Sequence, residues 1–292
     1  MKLVTIVLAT CLLVACASSP YQEELQDLRV MSFNIRYDNP SDGADAWPNR
    51  RTRVASLILF YSPEILGLQE VLLHQRDQLS EDLGSYAFLG VGRDDGVEAG
   101  EFAPIAYQTD RLEPLEQGHF WLSATPDKPS VGWDAALPRI ATWARFEDRT
   151  SGGRILALNT HFDHRGKEAR LQSARLIGDW IDQQSTACET VVLLGDFNAP
   201  PSEAAYQEIV LGGAQRLVDA RAVSETPLFG PPGTSTGFNV RRADDAPIDH
   251  VFVGEGVRVI RHGTLTQQTA GHPPSDHYPV LVDLTPRLCP AG

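Results

Sequence analysis

The stretch Val191-Val192-Leu193-Leu194-Gly195-Asp196-Phe197-Asn198 is a short apolar run that ends in a carboxylate and an amide. Four consecutive aliphatic residues predict a strand, and side chains two positions apart on a strand point to the same side. Asp196 and Asn198 are therefore expected to lie together where this strand ends. The same design recurs along the chain and predicts a sheet with polar groups along one edge.

A second polar group, Ser275-Asp276-His277, stands beside the apolar run Val280-Leu281-Val282. It adds a carboxylate and an imidazole, while Asn34 and Glu70 follow two further apolar segments. Oxygen ligands are what a hard divalent cation prefers, and histidine exchanges protons near neutral pH. This set of side chains suits a divalent cation and a phosphate better than it suits a hydrophobic core.

Apolar runs alternate with segments of helical periodicity, which predicts an α/β fold in a single domain. Helices are predicted over residues 50–60, 71–83 and 167–184. Strands are predicted over residues 28–34, 65–68, 86–91, 105–107, 142–147, 154–159, 191–194, 248–253 and 279–284. Residues 224–245, rich in Gly, Pro, Ser and Thr, predict a long loop of the kind that often covers a site.

The polar residues share one position relative to the predicted strands. Those that directly follow a strand are Asn34, Glu70, His161, Asp196 and Asn198. Those at the start of strands expected to run the other way are Asp249, Asp276 and His277. All of them are expected at one edge of a sheet sandwich, where a rigid scaffold directs polar groups into a cleft. The alternative is that the Asn and Asp residues form turns and that His161 is structural.

Six short motifs occur in an order that resembles the endonuclease/exonuclease/phosphatase family. They are Ser32-Phe33-Asn34-Ile35-Arg36, Leu68-Gln69-Glu70-Val71, Asn159-Thr160-His161, Gly195-Asp196-Phe197-Asn198, Ile248-Asp249-His250 and Ser275-Asp276-His277. The resemblance covers residues 29–284 and is closest to bacterial secreted members and to the branch with nocturnin and the carbon catabolite repression deadenylases. It implies the deoxyribonuclease I-like fold, two packed β-sheets flanked by helices.

The resemblance also implies a function, the hydrolysis of phosphomonoesters or phosphodiesters with a divalent cation. Mg²⁺ is the expected ion, and Mn²⁺ is the alternative. Glu70 is the implied main metal ligand, with Asn34 and Asp276 beside it. Arg36 stands where some family nucleases have an acidic residue, so no additional metal contact is expected there.

Five further residues receive catalytic roles from the resemblance. Asp196 would position the attacking water and accept its proton, and Asn198 would donate to the phosphate. His161 would contact a non-bridging oxygen and stabilise developing charge. His277 would lie on the phosphate, oriented by Asp249. Whether Asp196 or the His277–Asp249 pair is the general base stays open.

The charge balance bears on the substrate. The formal net charge is −13 at pH 7, and a firm hold on long nucleic acid needs a stripe of Lys and Arg. Small phosphoesters or short oligonucleotides are therefore the expected substrates, with a secreted nuclease as the alternative. A second alternative is a non-catalytic binding lipoprotein, but a binding module has no use for a water-activating Asp196. The charged loop that contains Arg93 and Glu101 is predicted either to line the cleft or to be solvated.

The N-terminal region resembles a bacterial lipoprotein signal. Lys2 precedes an apolar stretch too short for a permanent membrane helix, and small residues precede Cys16. We expect a signal peptide over residues 1–15, a lipidated Cys16 with a tether to residue 27, and an enzyme domain over 28–292. The expected location is the outer membrane, facing the periplasm, and the expected state is a monomer. Cys188 and Cys289 either pair or remain thiols.

Overall fold

Two six-stranded β-sheets pack face to face, with helices against their outer faces. The structure is a computed structural model that describes residues 26–213, 216–240, 242 and 245–287. Its architecture confirms the α/β sandwich expected from the sequence. In these residues no helix is both long and apolar enough to cross a membrane. The expectations for residues 1–25 and for Cys289 fall outside the described part of the chain.

The regular elements alternate as the sequence pattern predicts. The strands are β1 (Leu28–Asn34), β2 (Ile65–Gln69), β3 (Tyr86–Leu89), β4 (Ile105–Gln108), β5 (Leu112–Trp121), β6 (Ile140–Asp148), β7 (Arg154–His161), β8 (Thr190–Asp196), β9 (Leu217–Asp219), β10 (Asp249–Gly254), β11 (Arg258–Thr264) and β12 (Val280–Thr285). The helices are α1 (Trp47–Tyr61), α2 (Leu73–Asp82), α3 (Lys167–Gln184) and α4 (Ala204–Leu211), and a short 3-10 helix spans Pro40–Asp45.

Each sheet is built around one parallel pair of strands. The first sheet has the order β11-β12-β1-β2-β4-β3, and the second has the order β5-β6-β7-β8-β10-β9. The pairs β1/β2 and β7/β8 are parallel, and the helices α1 and α3 make the crossovers. All other pairings are antiparallel.

Successive side chains of each strand point to opposite faces of the sheet, and most buried apolar side chains therefore fall into three large cores. Val30 on β1 packs between the sheets, while its neighbour Met31 faces α1 and α2. On β8 the same alternation places Val192 between the sheets and Leu193 against α3 and α4. Burial on both faces is what a continuous aliphatic run such as β8 predicts, and it holds the strand ends rigidly.

The sequence pattern missed several elements and shifted the ends of others by one to three residues, such as the start of α1 at Trp47 rather than Arg50. The strands β5, β9 and β11 and the helix α4 were not predicted. β5 contains Pro114 and Gly118, which disfavour a strand, and it lies at a sheet edge where both are tolerated. α2 begins at Leu73 rather than at Val71, because Val71 forms a β-bridge with Phe102.

Candidate active site

The polar residues singled out in the sequence converge at one edge of the sandwich. Parallel pairing places Asn34 beside Gln69 at the ends of β1 and β2, and His161 beside Asp196 at the ends of β7 and β8. Antiparallel pairing brings Asp249, the first residue of β10, opposite Asp196. The carboxyl ends of parallel strands lie at the same edge, so each sheet delivers polar side chains to a common site.

Asp196 lies at the centre of this site and is buried. Its Oδ1 accepts a hydrogen bond from the backbone N–H of Asn198 at 2.9 Å, and its Oδ2 accepts one from Nδ2 of Asn34 at 2.9 Å. Burial, reinforced by the charge of Asp249, raises the pKa of the Asp196 carboxyl to about 7. A carboxyl with such a pKa can accept a proton near neutral pH, as a general base must.

His277 and Asp249 form a hydrogen-bonded pair beside Asp196. Nδ1 of His277 lies 2.8 Å from Oδ2 of Asp249 and 3.8 Å from Oδ2 of Asp196. Burial alone would lower the pKa of the His277 imidazole, but the two carboxylates outweigh it and raise that pKa well above the usual value. The two carboxylates therefore favour the protonated form of His277, with its Nδ1–H directed to Asp249.

Asn198 and His161 stand on the other side of Asp196. Asn198 adopts a positive φ of 48°, which asparagine tolerates better than most residues, and its turn is closed by the bond to Asp196. Its Nδ2 donates to the carbonyl of Phe162 at 3.0 Å and lies 3.1 Å from Nε2 of His161. The turn that the sequence allowed is therefore present, and it fixes the positions of the Asp196 and Asn198 side chains at the end of β8.

Glu70 and Asp276 provide two carboxylates on the side of the first sheet. Oε1 of Glu70 accepts a hydrogen bond from Nδ2 of Asn34 at 3.0 Å, and Oε2 accepts one from the backbone N–H of Tyr37 at 3.2 Å. The guanidinium of Arg36 lies 3.8 Å from Glu70 and 3.9 Å from Asp276. Both carboxylates therefore converge on a single positive charge.

Two sets of side chains offer ligands for a cation. Among the described residues, Asp196, Asp249 and His277 present ligand atoms within 4.8 Å of one another. Nδ1 of His277 is engaged with Asp249, however, and the nearby carboxylates raise the pKa of His277, which disfavours the neutral imidazole that a metal needs. Glu70 and Asp276 supply hard oxygens that already face a cation, Arg36, so this pair fits Mg²⁺ or Mn²⁺ better.

Arg50 organises this side of the site, although sequence analysis gave it no role there. Its buried guanidinium donates to five backbone carbonyls, those of Asp45, Ile35, Arg36, Tyr37 and Pro274. These bonds tie the turn after Asn34 to the segment that carries Asp276. One signal was available, because Arg50 lies four and eight residues before the buried Val54 and Ile58, on the inward face of α1.

The charged loop after β3 lines the site through Arg93 and Glu101, whereas most of its tip, residues 94–99, is exposed to solvent. Arg93 is buried and donates twice to Glu101, at 2.8 Å each. Oε2 of Glu101 lies 3.9 Å from Nδ1 of His161. Arg139, which sequence analysis did not single out, approaches from β6 and contacts Asp163 at 3.3 Å. His161 is thus backed by two buried arginines and a carboxylate.

The loop predicted over residues 224–245 packs against the site in the part that the structure describes. Ser235 forms a β-bridge with His277, and the backbone N–H of Thr236 donates to the carbonyl of Asp276 at 2.7 Å. Oγ1 of Thr234 accepts the backbone N–H of Asp249 at 3.1 Å. The loop therefore fixes the segment that carries Asp276 and His277.

Comparison with known proteins gives one family and a consistent fold. The model of the "Endonuclease/Exonuclease/phosphatase family" matches residues 31–277. By sequence, the chain is 23% identical to human nocturnin over 299 residues, 88% of this chain and 65% of nocturnin. The chain thus spans just under two thirds of nocturnin's length.

Two solved structures from Bacteroides thetaiotaomicron are more similar. One is an endonuclease/exonuclease/phosphatase family protein, with a TM-score of 0.85 and 37% identity, covering 89% of this chain and 98% of that one. The other is a mannosyl-6-phosphatase, with a TM-score of 0.83 and 38% identity, covering 88% of this chain and 99% of that one. Each match therefore extends over nearly the whole of the other chain and over most of this one.

Proposed function

The chain belongs to the endonuclease/exonuclease/phosphatase family, and from this premise we propose that it is a divalent-metal-dependent phosphatase of small phosphomonoesters, sugar phosphates foremost. Members of this family hydrolyse phosphoester bonds, so the chain is a phosphoester hydrolase. The observation that carries the proposal is Asp196, a buried carboxyl 3.8 Å from the imidazole of His277, whose pKa is raised to about 7 by burial and by the charge of Asp249. A binding module has no use for such a group.

The substrate class follows from charge and from the relatives. The formal net charge is −13, which disfavours a long polyanion that needs many basic contacts. One of the similar structures is a mannosyl-6-phosphatase, 38% identical over 88% of this chain. A single phosphate on a neutral sugar needs few basic contacts beyond the residues of the site itself. We therefore place sugar phosphates before oligonucleotides.

Different residues of this chain take different roles in the proposed hydrolysis. Asp196 orients the attacking water and accepts its proton. His277, held through Nδ1 by Asp249, retains its Nε2–H to donate to a phosphoryl oxygen, which stabilises the charge that develops there. Glu70 and Asp276, with Asn34 beside them, would hold the divalent cation. When bound, such a cation polarises a phosphoryl oxygen and steadies the leaving oxygen.

A substrate panel tests this function. We would measure kcat/KM of the purified protein for mannose 6-phosphate, a mononucleotide, a short oligonucleotide and plasmid DNA, with Mg²⁺ or with excess chelator, across a salt series. We expect the sugar phosphate to react fastest and the chelator to abolish turnover. Plasmid hydrolysis that is fastest and falls steeply with salt would identify a nuclease instead. Full turnover in chelator would remove the metal from the mechanism.

We also propose that the enzyme is a monomer anchored by lipid at Cys16, with the signal peptide over residues 1–15 and the enzyme domain over 28–292. The sequence pattern around Cys16 supports the anchor. Cys16→Ser should move the protein from the membrane pellet to the soluble periplasm, with the activity unchanged. Wild-type protein found wholly soluble in fractionated cells would contradict the anchor, and size-exclusion chromatography tests the monomer.

A further inference from the structure

A small cavity lies beside His161. Its volume is about 10 Å³, and the polar residues that line it are Arg93, Glu101, Arg139 and His161. A cavity of this size accommodates about one water molecule. A phosphate ion or an organic ligand does not fit.

Three buried nitrogen atoms on these residues lack hydrogen-bond partners. They are Nε of Arg93, Nη1 of Arg139 and Nδ1 of His161. The remaining guanidinium nitrogens are engaged: those of Arg93 with Glu101, and those of Arg139 with Asp163 and His164. Burying a polar group without a partner is unfavourable, so three such nitrogens on residues that line one cavity indicate a missing partner.

The hydrogen-bond network around Asn198 decides which nitrogen of His161 carries the proton. Nδ2 of Asn198 donates one hydrogen to the carbonyl of Phe162, which can only accept. Its second hydrogen points to Nε2 of His161 at 3.1 Å, so Nε2 must be the accepting nitrogen. Burial, with the charges of Arg139 and Arg93, lowers the pKa of His161 well below the usual value and keeps the ring neutral. A neutral ring with a bare Nε2 carries its hydrogen on Nδ1.

All three unpartnered nitrogens are therefore donors. Nε of Arg93 lies 3.9 Å from Oδ1 of Asp94, and Nδ1 of His161 lies 3.9 Å from Oε2 of Glu101, both too far for a direct hydrogen bond. A water oxygen has two lone pairs, so it can accept from Nη1 of Arg139 and Nδ1 of His161 and give a hydrogen to Glu101. Because Glu101 is negative, a neutral water suits the cavity better than an anion.

We propose that the cavity holds one structural water that accepts from Arg139 and His161 and donates to Glu101, and that Arg139 and Arg93, which pairs with Glu101, are positioning residues that hold His161 in its Nδ1–H tautomer. Nε2 of His161 then accepts the hydrogen bond that Asn198 donates, which fixes the amide of Asn198. On the proposed function, His161 therefore orients Asn198 in the active site. This role differs from the one expected from the sequence, which had His161 stabilise a negative oxygen.

The tautomer can be measured without any substrate. In protein labelled with ¹⁵N-histidine, the two ring nitrogens of His161 are assigned by comparison with His161→Gln. We expect a protonated Nδ1 and a bare Nε2 at neutral pH, and a crystal structure at high resolution should show one ordered water in the cavity. A protonated Nε2, an imidazolium or a dry cavity would overturn the proposal.

Substitution tests the role of the arginines. Arg139→Met removes the donor, and we expect His161 to lose its single tautomer and kcat to fall about tenfold, the scale of outer partners that orient an active-site histidine. Arg111→Met is the matched control, because Arg111 is also buried and paired to the buried Asp148. It should lower Tm and leave the His161 signals unchanged.

The outcomes separate this inference from the proposed function. A folded Arg139→Met protein that keeps the wild-type tautomer shows that the arginine does not position His161. If Arg139→Met does not fold, the wild-type tautomer and the ordered water still decide the proposal. A wild-type protein with the expected tautomer but no phosphatase activity would contradict the proposed function alone.

Discussion

The two sheets share one construction, yet the polar groups at their ends differ. Each has six strands and one parallel pair joined through a helix, β1-α1-β2 in the first and β7-α3-β8 in the second. The first pair ends in Asn34 and, one residue past β2, Glu70. The second ends in His161 and Asp196. The end of the first sheet, with Asn34 and Glu70, thus forms a cation-facing side of the site. The end of the second sheet, with His161 and Asp196, forms a proton-handling side.

Burial and the position of arginine account for the difference. The side chains of Glu70 and Asp276 are 13% and 15% exposed and lie within 4 Å of Arg36. Asp196 and Asp249 are only 1% and 2% exposed, and the groups that contact Asp196 are imidazoles and amides. A nearby guanidinium favours the charged form of a carboxylate, whereas burial favours the neutral form. Burial raises the pKa of the Asp276 carboxyl even so, with His277 and Arg36 opposing the rise. The carboxylates of the cation-facing side can therefore bind a metal ion in place of Arg36, whereas Asp196 on the proton-handling side can take up a proton.

The largest expected effect comes from the proton-handling side. Asp196→Asn keeps the shape of the side chain and removes the basic oxygen, so kcat should fall about 10²- to 10⁴-fold with KM little changed. Steady-state kinetics measure both parameters. Asp148→Asn is the control, because Asp148 is equally buried but pairs with Arg111 away from the site. It should lower stability and leave kcat intact. Near wild-type kinetics of Asp196→Asn would make Asp196 structural.

The cation-facing side should respond differently to the same kind of change. Glu70→Gln should weaken Mn²⁺ binding about 10- to 100-fold and remove most activity, because a neutral amide is a poor ligand for a hard cation. Isothermal titration calorimetry measures the affinity. The exposed pair of Glu225 with Arg258 supplies a control, Glu225→Gln, which should bind Mn²⁺ normally. If Asp196→Asn weakens Mn²⁺ binding more than Glu70→Gln does, the division between the sides is wrong.

The position of Arg50 can also be tested. Lysine cannot reach five carbonyls with a single ammonium, so Arg50→Lys should lower both Mn²⁺ affinity and kcat about tenfold by displacing the segments that carry Asn34 and Asp276. Calorimetry and kinetics at a temperature well below Tm give the two values. Arg51→Lys is the matched control, since Arg51 is the next residue and pairs with Asp82 on α2. A change in Tm alone, with both values preserved, would limit Arg50 to stability.

The pH dependence reports on Asp196. The pKa of about 7 lies above the unfolded value of 3.8, so the carboxyl is half protonated near pH 7. As a base it must be ionised, and kcat/KM should fall about tenfold from pH 8 to pH 6. In chelator, the folded state binds more protons than the unfolded state between pH 4 and 7. The free energy of unfolding should therefore fall as pH rises through this window. Urea unfolding at several pH values checks the sign, and Asp196→Asn should flatten the slope.

The smallest effect concerns Arg36. This guanidinium faces the carboxylates that would hold the metal, so Arg36→Gln should tighten Mn²⁺ binding roughly three- to tenfold, the scale of a partly exposed charge interaction. Calorimetry measures the change. Arg29→Gln, which breaks an ion pair with Asp283 at the opposite end of β1, is the control. Weaker binding in Arg36→Gln would mean that Arg36 supports the metal site rather than competing with it.

Most of the fold was accessible to sequence reasoning because its central strands are strongly patterned. The apolar runs of β1, β2, β7 and β8 predict strands that end next to polar groups, and the structure has them there. The sequence pattern missed the edge strand β5 because it contains Pro and Glu, which argue against a strand. At the edge of a sheet these residues are tolerated, since they discourage pairing with another chain. Edge positions are defined by neighbours, which local sequence does not reveal.

The sequence alone determined the residue types of the site, their order along the chain and their places at strand ends. Those features follow from local periodicity and from six motifs in order. Only the tertiary structure decided that Arg50 binds five carbonyls, that Arg93 and Arg139 line a cavity beside His161, and that Arg36 rather than solvent faces Glu70. The physical reason is that burial, pKa and hydrogen-bond partners depend on groups distant in sequence, which meet only when the two sheets pack.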